Sequence, residues 1–152
     1  MAQPSSKVKV AMMIDIETLD TARTAVVIQV AAVTFEYDLH GYYKELNSFN
    51  IPLRVGPQVD GGRTISASTI DWWLGEDKYK VFSQIICDGY DRPGDDCLLE
   101  LKGELSFSNC DEYWFQGPTF DAIILEDLLG EGVVPWKYHQ VRDQRTVDNL
   151  AW

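Results

Sequence analysis

The sequence predicts an α/β domain whose sheet begins as an antiparallel meander. Three observations carry this. Val8-Lys9-Val10-Ala11-Met12-Met13-Ile14 is a short apolar run, and Ala25-Val26-Val27-Ile28-Gln29-Val30-Ala31-Ala32-Val33-Thr34-Phe35 is a longer, nearly continuous one rich in β-branched residues. Unbroken apolarity of that length suits a central strand covered on both faces. Further along, segments with helical spacing alternate with the short aromatic stretch Tyr113-Trp114-Phe115, the pattern of helices layered on a sheet.

Taken in order, residues 8–14 read as the first strand and residues 25–35 as the second, with residues 20–24 connecting them. Asp38-Leu39-His40-Gly41 is a polar, glycine-containing turn, in which His40 is solvated. Residues 43–53 form a third, edge-like strand ending near Pro52. Residues 55–62, rich in Gly and Pro, read as a loop. Ser66 or Ser68 caps a helix carrying Ile70, Trp73 and Leu74, and a second helix covers residues 78–87. Gly89, Pro93 and Gly94 break the pattern over residues 88–96. Residues 97–105 are helical in spacing despite Gly103. Thr119 caps a helix over residues 120–129, with Gly130 just past its end. Residues 142–147 are either a short strand or the entry to a last helix.

The 152 residues fit a single domain with a real core, preceded by a flexible N-terminus at residues 1–7. A formal net charge of -11 speaks against broad, non-specific attachment to a nucleic-acid backbone. It leaves a nuclease open, because metal ions neutralise the local field at an acidic site. Cys87, Cys97 and Cys110 lack metal-ligand spacing and, being odd in number, leave one unpaired; reduced thiols in the cytoplasm are the expectation. Residues 1–6 are polar, so no signal peptide is visible, and no apolar run reaches the length of a membrane span.

The first strand ends in Asp15-Ile16-Glu17-Thr18. Side chains at i and i+2 of a strand share a face, so two carboxylates stand together. No Lys, Arg or His lies in residues 11–18 to neutralise them. Buried charges pair or coordinate metal, and a hard carboxylate site suits Mg or Mn. The plainer account is two solvated acids at a strand end. A third acid, Asp121, shares its helix face with the apolar Ile124, Leu125 and Leu128. The helix dipole alone would account for an acid in a first turn. What adds weight is context: an aromatic strand, a turn at Gly117, then an inward-facing acid.

These segments resemble a known family. Residues 13–19 followed by residues 25–33 look like the first exonuclease motif of the DEDD 3'-5' exonucleases. Thr69-Ile70-Asp71-Trp72-Trp73-Leu74, Trp114-Phe115-Gln116-Gly117-Pro118-Thr119-Phe120-Asp121, Pro135-Trp136-Lys137-Tyr138 and Arg142-Asp143-Gln144-Arg145-Thr146-Val147 resemble the phage and mycobacterial branch of ribonuclease T-like exonucleases. The resemblance implies the ribonuclease H-like fold, a mixed five-stranded sheet flanked by helices. It implies release of nucleoside 5'-monophosphates from the 3' end of single-stranded RNA or DNA. Two divalent cations, Mg or Mn, about 4 Å apart, would clamp the scissile phosphate. Asp15, Glu17 and Asp121 match the family's first three acidic ligands. Thr18 and Leu19 match positions that pack against the terminal nucleotide, and Trp73 and Phe120 join them as substrate-side residues. Trp72 or Trp73 would offer a stacking face, although core packing explains at least one of them.

The family's third motif, a His followed five positions later by an Asp on a last helix, does not occur in the sequence. His139 and Asp143 have the wrong spacing and order and read as structural or surface residues. Gln116 and Ala122 stand where the family more often has Asn. The expectation is therefore a C-terminally incomplete exonuclease domain, or alternatively an impaired nucleic-acid-binding or decoy protein on the same fold. Without the last helix, the sheet near Val27, Ile28 and Val30 is expected to be exposed, favouring a homodimer.

Overall fold

The computed structural model describes residues 7–92, 96–130 and 132–150. The two apolar runs pair with each other: β1 (Lys9–Thr18) lies antiparallel to β2 (Val27–Tyr37), with Lys9 opposite Tyr37 and Glu17 opposite Gln29. β3 (Tyr43–Pro52) adds antiparallel to β2, completing the meander. On the other side of β1 lies β4 (Glu112–Phe115), parallel to it, with Ile14 opposite Phe115. β5 (Val141–Asp143) is parallel to β4 in turn, with Phe115 opposite Asp143. The described residues thus form a mixed sheet in the order β3-β2-β1-β4-β5, flanked by α1 (Val55–Asp60), α2 (Ala67–Trp73), α3 (Tyr79–Asp91), α4 (Asp96–Ser106), α5 (Asp121–Leu129) and α6 (Gln144–Leu150).

Alternate residues of β1 enter the main core, where Met12, Ile14 and Ile16 meet Leu101, Leu105, Tyr113, Phe115, Ile124, Leu125 and Trp136. A smaller cluster joins Leu19, Val26 and Ile28 to Trp73 of α2 and Ile85 of α3. Parallel neighbours end at the same edge of a sheet, and in α/β folds that carboxyl edge is where ligands bind. Here β1 runs on through residues 15–18 beyond its last pairing with β4. The strand tip therefore stands beside the chain leaving β4.

Several expectations change. β1 reaches Thr18, so Asp15 and Glu17 lie within the strand. Residues 55–62 contain α1, because Gln58 clamps the start of β2: its Nε2 donates to the carbonyls of Val27 (2.7 Å) and Arg54 (2.7 Å), and its Oε1 accepts from the Val27 amide (2.9 Å). Pro57 is tolerated there because a first helical turn needs no backbone donor. α3 continues through Gly89, where a Cβ would lie 3.2 Å from the Leu53 carbonyl oxygen; that glycine permits close packing and breaks nothing. Pro93 and Gly94 fall outside the described residues. Ser66 is the α2 cap, accepting from the Thr69 amide at 3.1 Å. Thr119 is not a cap: α5 starts at Asp121 behind Phe120, with no side-chain cap. Residues 142–147 hold both the end of β5 and the start of α6. The expected exposed sheet face is also overturned, since Val27, Ile28 and Val30 are fully buried. α2 and α3 close over Ile28, and Val27 and Val30 lie in the main core with Leu53 and Leu101.

Candidate active site

Three acidic side chains reach the carboxyl edge from two strands. Asp15 and Glu17 project from the overhanging tip of β1, Asp15 exposed and Glu17 half-buried. The chain leaving β4 turns at Gly117, whose φ of +99° favours a residue without a Cβ. The Gly117 carbonyl then accepts from the amides of Phe120 (3.0 Å) and Asp121 (3.4 Å), which starts α5. That turn sets Asp121, only 4% exposed, next to the β1 tip. The Ile16 backbone amide favours the charged forms of both Asp15 and Asp121.

The electrostatics of this edge are unfavourable as they stand. Burial raises Asp15, and burial together with the neighbouring Asp15 charge pushes Glu17 up to about 7. Asp121 is pushed up to about 7 by burial first, then by Asp15 and Glu17, while the Ile16 amide and Arg145 pull the other way. Burial raises all three carboxyls, and neighbouring carboxylate charge adds to the rise of Glu17 and Asp121; a set of hard oxygen donors in that condition is the chemistry a divalent metal satisfies. Their positions are less advanced than their electrostatics. Among the described residues, no three His, Cys, Asp or Glu side chains are grouped tightly enough to hold a metal as they stand. The fold thus brings Asp15, Glu17 and Asp121 within electrostatic reach but not into a coordination cluster.

Beside the acids opens a cavity of about 430 Å3, walled by Ile16, Glu17, Thr18, Thr21, Ser68, Thr69, Trp72, Trp73 and Phe120. Thr18 and Phe120, two of the expected substrate-side residues, are in its wall. The Thr18 hydroxyl is already engaged, donating to the Asp20 carbonyl at 2.7 Å. Leu19 does not line the cavity; it is 3% exposed and belongs to the core with Ile28 and Ile85. Trp73 contributes to the wall but is 4% exposed, with Nε1 donating to the Thr18 carbonyl at 2.8 Å and its ring stacked on Phe82. The accessible ring is Trp72, 52% exposed, with the Lys78 ammonium 4.0 Å from its centroid. Adjacent residues on a helix point about 100° apart, so one tryptophan is anchored and the other faces outward.

The sequence alone assigned no site role to Thr21, Ser68, Thr69 or Arg145. Arg145 leads α6, and its Nη1 lies 3.3 Å from where a Cβ on Gly117 would be. A basic residue two positions past Asp143, which caps α6 by accepting from the Arg145 amide at 2.9 Å, was the available signal. His139 stays exposed on a 3-10 turn (Tyr138–Gln140) preceding β5. That is the amino end of a strand whose carboxyl end faces the acids, so His139 serves neither Asp15 nor Asp121. His40 lies in the turn between β2 and β3, its amide donating to Asp38. Among the described residues no helix is long and apolar enough to cross a membrane.

A family model described as the 3'-5' exoribonuclease Rv2179c-like domain matches residues 10–151 of the chain. Comparison with curated proteins gives no match.

Proposed function

Because the chain belongs to the Rv2179c-like 3'-5' exoribonuclease domain family, we propose that it removes nucleotides from the 3' end of single-stranded RNA, with Asp15, Glu17 and Asp121 holding two Mg or Mn ions. The observation that carries this reading is the trio of raised carboxyls at the carboxyl edge of parallel strands, beside a cavity of about 430 Å3. The ribonuclease H-like fold and the DEDD superfamily belong to the same reading, supported by the strand order and by the acids falling at the ends of β1 and β4.

When bound, divalent cations supply charge neutralisation at the scissile phosphate and lower the pKa of a water. The chain supplies the rest. Asp15, Glu17 and Asp121 provide oxygen donors and stay ionised once a cation offsets their repulsion. Thr21, Ser68 and Thr69 offer hydroxyls to the sugar or base of a terminal nucleotide in the cavity. Trp73, tied to the Thr18 carbonyl, keeps the β1 tip fixed over the cavity floor. The exposed face of Trp72 stacks a base with little regard to its identity.

The experiment is incubation with Mn or Mg and single-stranded RNA labelled at its 5' or 3' end, with DNA in parallel. Nucleoside 5'-monophosphates leaving progressively from the 3' end are expected, with RNA the better substrate. No release with either ion would overturn the reading. One observation favours a second one: the three carboxylates are not grouped for metal, and both histidines lie elsewhere. A protein that binds single strands without turnover, in the manner of a decoy, is then the outcome.

A further inference from the structure

The carboxyl edge carries one cation that the proposed chemistry leaves unassigned. β1, β4 and β5 are mutually parallel across β1–β4–β5 and end at this edge. β1 delivers Asp15 and Glu17, β4 delivers Gly117 and Asp121, and β5 delivers Asp143 and Arg145. Asp143 fixes the start of α6 with both oxygens, accepting from the Arg145 amide (2.9 Å) and from the Thr146 hydroxyl (3.4 Å). Gly117, bare of a side chain, leaves room for the Arg145 guanidinium, whose Nη1 and Cζ lie 3.3 and 3.6 Å from the position a Cβ would take. Arg145 is thus seated by its own helix cap and by a glycine.

Its donors are nevertheless unused. Arg23 and Arg63 bind Asp127, Arg92 binds Glu100 and Arg142 approaches Glu112. Arg54 donates to the carbonyls of Gly89, Tyr90 and Arg92. The Arg145 guanidinium, alone among those of the arginines, makes no hydrogen bond or ion pair with any described residue, Asp121 included. A guanidinium is a planar fork matched to a phosphate. A strand approaching three carboxylates on a chain of net charge -11 meets repulsion, and a held, uncommitted cation at that edge is what offsets it.

We propose that Arg145 is a ligand for a backbone phosphate of the bound strand, seated over Gly117 so that its guanidinium draws and aligns the polymer beside Asp15, Glu17 and Asp121. This rests on the exonuclease reading for the identity of the polymer. Arg145 is a binding residue, so its loss falls on KM rather than on kcat.

The test measures binding of a short 5'-fluorescein oligouridylate by anisotropy across a salt series, with calcium replacing magnesium. Arg145→Gln is expected to weaken binding about tenfold, as for a lost charge-assisted hydrogen bond, and to reduce the slope of log Kd against log salt by about 0.7, the contribution of one phosphate contact on a single strand. Arg145→Met keeps the stem over Gly117 and should give the same slope change, whereas Arg145→Lys should keep the slope. An unchanged slope in both neutral variants overturns the proposal, whatever happens to Tm. If the wild-type protein binds the strand but releases no mononucleotides, the exonuclease reading fails while the slopes still decide Arg145. If it binds no strand, both fail.

Discussion

Replacing Asp121 by Asn should stabilise the metal-free protein at pH 8 while abolishing the proposed activity. Asp121 is 4% exposed, and burial, then Asp15 and Glu17, push its carboxyl from 3.8 up to about 7. The folded chain therefore keeps a proton that the unfolded chain has lost. Stability falls as pH rises from about 4 to about 7 and stays reduced above that. At about 1.4 kcal/mol per pKa unit, the deficit has an upper bound of about 4 kcal/mol. Asn removes the charge at nearly constant volume. It also forfeits the favourable interaction of an acid with the α5 N-terminus, about 0.3–1 kcal/mol; the opposing pull of the Ile16 amide and Arg145 is already contained in the value of about 7. A net gain on the order of 2 kcal/mol remains, which for a chain of this size is roughly 4–8 °C in Tm. The assay is thermal unfolding in EDTA from pH 4 to pH 8, beside Mn-dependent hydrolysis at pH 8. The variant should match the wild type near pH 4, gain on it up to pH 7, and lose at least about a hundredfold in rate. A variant that melts at or below the wild type at pH 8 would refute the claim that this carboxylate is held against repulsion.

Four further outcomes follow from the same geometry. Asp15→Asn should remove most Mn-dependent hydrolysis and, by taking away the charge that raises Glu17 and Asp121, raise the metal-free Tm slightly at pH 8; retained hydrolysis would take it out of the site. Mn or Mg should raise Tm far more at pH 8 than at pH 5, since Glu17 and Asp121 hold protons below about 7 that a cation must displace; a pH-independent shift measured by scanning fluorimetry would contradict this. Trp73→Phe should cost about 1–3 kcal/mol in urea unfolding by orphaning the Thr18 carbonyl, whereas Trp72→Ala should leave Tm nearly unchanged and weaken oligonucleotide binding. His139→Ala should leave the rate of nucleotide release unchanged; a hundredfold loss would restore it as a general base.

The sequence determined whatever depends on neighbours along the chain. Continuous apolar runs specified β1 and β2, and the turn at residues 38–41 set off β3 as an edge strand. The i, i+2 spacing of Asp15 and Glu17 put two carboxylates on one face wherever the strand went. Ser66 and Gly130 marked helix ends through local hydrogen bonding and a φ of +91° at Gly130. Other features are contacts between distant segments, and no local period encodes them. That Asp121 sits by Asp15 follows from the parallel register of β1 with β4, Ile14 against Phe115. Which of two adjacent tryptophans is buried was decided by the Thr18 carbonyl that Trp73 found. Gly89 reads as a breaker until Leu53 is seen passing against it, and residues 55–60 read as loop until Gln58 is seen clamping Val27. Leu19 turned inward because Ile28 and Ile85 surround it. Arg145 is one more surface cation in the sequence; only the fold sets it over Gly117, at the edge where the three acids gather.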